Sequence, residues 1–123
     1  MAEPEWVLAF AIRLLYHAKT VSDPREEKFR QMAEKFPGSP LGHYSLGRYY
    51  VEQRRFADAI APLERACELE KTYAAALVCL GEAYAGADKV EAARKTFTRA
   101  KEVALEQKHD GLAEEIQEKI DFL

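Results

Sequence analysis

Residues that break helices and residues that do chemistry are both scarce in this chain. Its 123 positions hold six Gly and five Pro, with no low-complexity run. Long disorder is therefore not expected. The two cysteines, Cys67 and Cys79, lie outside any CxxC pair. Two thiols make no disulfide framework, and they read as small buried hydrophobes in a reducing compartment. The longest apolar run, Trp6 to Tyr16, is 11 residues with Arg13 inside it. A membrane span needs about 20. The opening Met-Ala-Glu-Pro-Glu-Trp is acidic and lacks the positive stretch of a signal peptide. A cytoplasmic protein with no membrane partner is expected.

Charge of one sign is missing too. Residues 1–39 carry six positive and six negative side chains, and residues 40–107 carry ten of each. Only residues 108–123 are unbalanced, with two Lys against five Asp/Glu. No surface for a phosphate backbone emerges, so nucleic acid is excluded as a partner.

Catalytic signals are equally thin. His17, His43 and His109 fall on different helices or loops, and no His or Cys cluster has zinc-ligand spacing. His43 reads as a partly buried core residue and His109 as a solvated one. His17 is the one that could face a groove. Ser22 and Ser39 sit at helix starts, where capping explains them. Ser45 has no Gly-x-Ser-x-Gly elbow around it. The segment Pro37-Gly38-Ser39-Pro40-Leu41-Gly42 reads as a turn and lacks the Lys of a phosphate loop. No enzyme, no metal and no cofactor is expected.

What the chain does have is apolar residues recurring at three and four, with no alternating stretch long enough for a strand. Hydrophobic residues make up 48% and charged residues 32%, which suits one domain with a real core. The pattern predicts an all-α chain of about seven helices. The first covers Glu5 to Lys19. Asp23-Pro24-Arg25-Glu26 starts the second, with Asp as N-cap, Pro at the first helical position and Glu at the third. Pro37-Gly38 stops it near Phe36. The third runs from Ser39-Pro40 to Gln53, the fourth from Arg55 to Glu70, and the fifth from Tyr73 to Ala85. Asp88-Lys89-Val90-Glu91 reads as another capping box, opening a sixth helix to Gln107. Asp110 is expected to cap the seventh, which ends near Phe122. Short connections make successive helices antiparallel.

An internal period then stands out. A shift of 34 lays Leu46-Gly47 on Leu80-Gly81, Tyr50 on Tyr84, Ala59 on Ala93, Leu63 on Phe97 and Ala66 on Ala100. An interior Gly costs a helix about 1 kcal/mol. Two Gly at the same place in two helices therefore predict close approach of a neighbour. The alanines let helices nest, and Leu46, Leu80, Leu63 and Phe97 fill the space between them.

These residues resemble the tetratricopeptide repeat, a 34-residue helix-turn-helix unit with a Leu-Gly pair and a Tyr three residues after the Gly. Leu46-Gly47-x-x-Tyr50 with Ala59 and Leu63 makes one copy, residues 40–73. Leu80-Gly81-x-x-Tyr84 with Ala93 and Phe97 makes another, residues 74–107. The family's usual Trp is replaced by His43 and Leu77, and its closing Pro by Lys71 and Leu105. Tyr16, Phe29 and Pro37 fit a third copy, but Arg13 and Arg25 stand where Gly and Ala should be. Residues 6–39 are thus a decayed repeat, the favoured reading, or an unrelated helical hairpin. Residues 108–123 are left as a capping helix with a polar outer face. The resemblance implies an α-solenoid of antiparallel helix pairs forming one domain over 1–123.

It also implies a concave face lined by the first helix of each pair. Residues at i, i+4 and i+7 share one side of a helix. Those not used for packing are Phe10, Leu14 and His17, then Tyr44, Arg48 and Val51, then Val78, Glu82 and Ala85. The expected function is binding a peptide or helix of another protein there. The alternatives are an inner wall that is bare or covered by the chain's own end, and a self-associating module that forms a homodimer through the apolar first helix. Chaperone receptors of the family clamp a carboxylate with Lys and Asn. The matching places here hold Tyr44, Arg48, Val78 and Glu82, so no chaperone tail is expected to bind. Ile12 and Tyr16 match packing positions of the next repeat, which leaves Val7, Phe10, Leu14 and Leu15 as an apolar patch.

Overall fold

A computed structural model of the chain describes residues 3–12 and 23–123. All regular structure among them is helical. Helix α1 occupies residues 5–12. It is followed by α2 (Pro24–Lys35), α3 (Pro40–Glu52), α4 (Phe56–Leu69), α5 (Ala74–Gly86), α6 (Val90–Glu106) and α7 (Asp110–Asp121). Each of α2 to α7 packs on the next, and α3 also touches α5 directly. That skip contact between alternate helices stacks one pair on another, as in a solenoid.

The 34-residue period is carried by the backbone itself. Helix α5 starts and ends 34 residues after α3, and α6 starts 34 after α4. Arg54 and Asp88, again 34 apart, adopt φ of 59° and 62°. At both turns an amide reaches back five positions: Arg55 N donates to Tyr50 O, and Lys89 N to Tyr84 O, each at 2.8 Å. Lys108 repeats the geometry with φ 59° and a bond from His109 N to Ala104 O. This left-handed closure satisfies carbonyls at a helix end and turns the chain back sharply.

It also corrects two sequence expectations. Asp88 is not an N-cap, because its backbone is committed to ending α5. Lys89 takes the cap position of α6 without a side-chain bond. Likewise His109 precedes α7, and Asp110 is its first residue rather than its cap. Ser39 stands at the N-cap of α3 but its side chain makes no capping bond. Asp23 does cap α2, accepting from Arg25 N at 2.9 Å. Gly42 is inside α3 rather than in a turn. A Cβ there would lie 2.7 Å from Ala33 N, so α2 and α3 meet backbone to backbone.

The small residues do the packing the period implied. Ala59, Ala66, Ala93 and Ala100 are completely buried. Leu63 sits on Gly47 and Phe97 sits on Gly81. Two clusters form the core. One joins Tyr49, Tyr50, Ala59, Leu63, Leu80 and Ala83, and the other gathers around Phe97, Val103 and Ile116. Cys67 and Tyr84 pack against both, so the clusters are continuous.

Two features have no forerunner in the sequence reading. Pro62 lies inside α4, where it removes an amide donor. Glu26 turns inward instead of completing a capping box, and is the one buried charged side chain among the described residues. It accepts from Tyr50 Oη at 2.9 Å and pairs with Arg30 at 2.9 Å and Arg55 at 3.0 Å. A buried carboxylate survives only when so partnered. This junction ties α2 to α3 and α4.

Candidate functional site

Helices α3, α5 and α7 bring their C-terminal ends together, and a groove of about 590 Å³ opens there. Val51, from the last turn of α3, and Ala85, from the last turn of α5, line it. Phe56, the first residue of α4, stands at its side with the ring on Gly86, where a Cβ would fall 2.3 Å from Phe56 Cγ. Phe122 and Leu123, just beyond α7, form the opposite rim. The Phe122 side chain is 94% exposed, so it borders the groove without filling it.

The polar groups of the groove are mostly paired. Lys119 Nζ meets Glu82 at 2.9 Å, joining α7 to α5. Arg48 and Glu52 pair at 3.1 Å along α3. The guanidinium of Arg54 lies over the Phe56 ring, 5.7 Å from its centroid. No carboxylate among the described residues pairs with it.

The candidate residues named above divide between places. Val51, Glu82 and Ala85 come together in the groove. Tyr44 and Arg48 line a separate recess of about 180 Å³ with Phe29, Tyr49 and Glu52. Tyr44 is also half-buried edge-on against Tyr73, with centroids 5.0 Å apart. Val78 is half-buried against the Phe97 cluster. Phe10 is exposed on α1. Leu14 and His17 lie outside the described residues, as do Tyr16 and Leu15. The Ile12 side chain is 57% exposed, so it does not pack as its register suggested. Sequence reasoning missed Arg54, Phe56, Lys119, Phe122 and Leu123. A signal was available for the last two: in the acidic final segment, Phe122-Leu123 is an apolar pair just past the helix end.

Burial pushes the Cys67 and Cys79 thiols up to about 11, so both stay protonated near neutrality. His43 is half-buried and bonds Pro37 O at 3.0 Å, and His109 is exposed. Among the described residues no three His, Cys, Asp or Glu gather as a metal cage. None of the described helices is long and apolar enough to cross a membrane.

No protein-family model matches the chain, and no curated protein matches its sequence. Solved structures do match its fold. The TPR2B domain of yeast Sti1, solved in complex with pHsp70, superposes with a TM-score of 0.74 at 19% identity, over 85% of this chain and 84% of that one. Protein BPP2914 from Bordetella parapertussis superposes with a TM-score of 0.69 at 22% identity, over 80% of this chain and 86% of that one. With the 34-residue period and its repeated turns, these likenesses establish an all-α, tetratricopeptide-like helical repeat fold.

Proposed function

We propose that the chain is a protein-interaction module that takes a short peptide or helix of another protein into the groove between α3, α5 and α7. The observation that carries this reading is the groove itself. It is open and largely apolar, with Val51, Ala85, Phe56 and Phe122 around it and a few charged groups at the edge. Its volume falls in the range of ligand sites. Apolar surface gathered in a concavity stabilises a partner by leaving water, while edge charges set register and exclude wrong partners. The same fold is seen in the Sti1 domain in complex with pHsp70, which is consistent with a binding role.

The test is affinity capture with mass spectrometry on the full chain, run beside Val51→Arg and, on the outer face of α6, Arg94→Glu. Partners should be retained by Arg94→Glu and lost by Val51→Arg, with both variants melting like the parent. Loss with Arg94→Glu and retention with Val51→Arg would move the binding surface to the convex side.

A further inference from the structure

Among the described residues, two apolar surfaces stand open and suit each other in kind, a concave one and a helix. One is the groove. The other is α1. In α1 the side chains of Trp6, Leu8, Phe10 and Ile12 are 68%, 67%, 56% and 57% exposed. Trp6 and Phe10, four apart, share one side of the helix, and Leu8 and Ile12 share the other. A helix with large apolar side chains on both sides is not a surface helix, which shows one apolar stripe. It suits a site with walls on two sides, and Phe56 and Phe122 wall the groove. No residue of α1 lines that groove in the single chain. Among the described residues both are thus open.

We infer that α1 of one copy occupies the groove of a second copy, and the reverse. This rests on the proposed reading of the groove as a helix-binding site and names its occupant. A reciprocal exchange is a closed, twofold arrangement, so every contact occurs twice and no fibre grows. The area is sufficient. Aromatic side chains bury on the order of 200 Å² each, so Trp6 and Phe10, with the groove surface they cover, give on the order of 1,000 Å² over two sites. That lies near the lower bound for a specific interface. Charge agrees as well. Glu3 and Glu5 are exposed beside Trp6, and Arg54, without a carboxylate partner among the described residues, stands at the groove.

Trp6 is the only tryptophan, so its emission reports α1 alone. The full chain is followed by sedimentation velocity and Trp6 fluorescence from about 1 to about 100 μM. Rising concentration should convert monomer to dimer, with a blue shift of Trp6 and protection from acrylamide. Phe10→Ser, at an exposed position, should weaken the dimer by about tenfold or more with unchanged melting. Val51→Arg should do the same from the groove side, and Phe122→Ser with Leu123→Ser replaces it if Val51→Arg fails to fold. Mixing Phe10→Ser with the groove variant should restore a weaker dimer, because one intact α1 meets one intact groove. A monomer throughout, or a dimer that tolerates Phe10→Ser, overturns the inference. So does a monomer whose Trp6 is already protected, which means closure onto its own groove. If the chain stays monomeric while a partner protein is captured through Val51, the groove reading stands and this occupant is wrong.

Discussion

The Phe97 ring lies on Gly81 so closely that a Cβ at that position would fall 2.4 Å from its Cε1 atom. Leu63 lies on Gly47 in the same way, at 2.3 Å. Phe97 and Leu63 are themselves almost wholly buried, so neither can swing away. Gly81→Ala and Gly47→Ala should therefore destabilise, although Ala is the better helix former by about 1 kcal/mol. The Leu variants should lose a few kcal/mol through overpacking. Gly111 in α7 is the control, with nothing within 4 Å of a Cβ. Gly111→Ala should gain up to about 1 kcal/mol. Thermal melts by circular dichroism check both signs, and a stabilised Gly81→Ala would refute the nesting.

The junction between α2 and α3 should be sensitive to acid. Hydrogen bonds from Arg25 and from Tyr49 Oη, the latter at 2.7 Å, hold the Asp23 carboxyl down at about 2. A lowered pKa contributes stability above the ordinary carboxylate value near 4, and loses it as pH falls from there toward 2. Burial first, then the bond to Asp23, pushes Tyr49 up to about 12. Its contribution is complete below about pH 10 and lost as pH rises toward 12. Melting temperature plotted against pH should fall in both windows. Asp23→Asn should flatten the acid arm, and an unchanged acid arm would remove Asp23 from the account.

Pro62 should cost the fold stability. It sits mid-way along α4, half-buried, where its ring removes one amide and crowds the carbonyl of Asp58. Pro62→Ala should raise stability by about 1–3 kcal/mol in urea unfolding, the gain being reduced by the freer unfolded chain. A loss instead would mean that the ring fills a space no alanine can.

Acidic chaperone tails should not bind, despite the likeness to the Sti1 domain. Tyr44 packs edge-on against Tyr73, Val78 is half-buried against the Phe97 cluster, and Arg48 is held by Glu52. Glu82 is paired with Lys119 at 2.9 Å, so its charge is neutralised. That same pair leaves Lys119 unable to grip a carboxylate without giving up Glu82. Isothermal calorimetry with an acidic C-terminal peptide should show no micromolar binding, and a Kd of about 1 μM or tighter would sink the claim.

The sequence alone determined the local geometry and the repeat. Helix spacing, the Leu-Gly-x-x-Tyr spacing and the alanines recur at 34, and each is a short-range or nearest-neighbour constraint. Gly47 and Gly81 pointed to close neighbours because the same costly Gly recurs at one place in two helices. Local signals still lost where backbone demands competed. Asp88 and Asp110 look like caps, yet the left-handed turns at Asp88 and Lys108 set where the next helix starts. Glu26 looked like part of a capping box, but Tyr50 and Arg55, far along the chain, drew it inward.

Only the tertiary structure decided the site. Val51, Phe56, Ala85 and Phe122 come from four elements. The repeat relates Val51 to Ala85, but nothing in the sequence brings Phe56 or Phe122 to them. They meet because three helix ends converge, a consequence of how the pairs stack. The same stacking set Tyr44 and Arg48 apart in a separate recess and turned Val78 into the core, although all belong to equivalent inner-face triplets. A repeat specifies equivalent positions. Which of them stays open depends on what α7 covers, because its end, Lys119 to Leu123, closes one side of the groove.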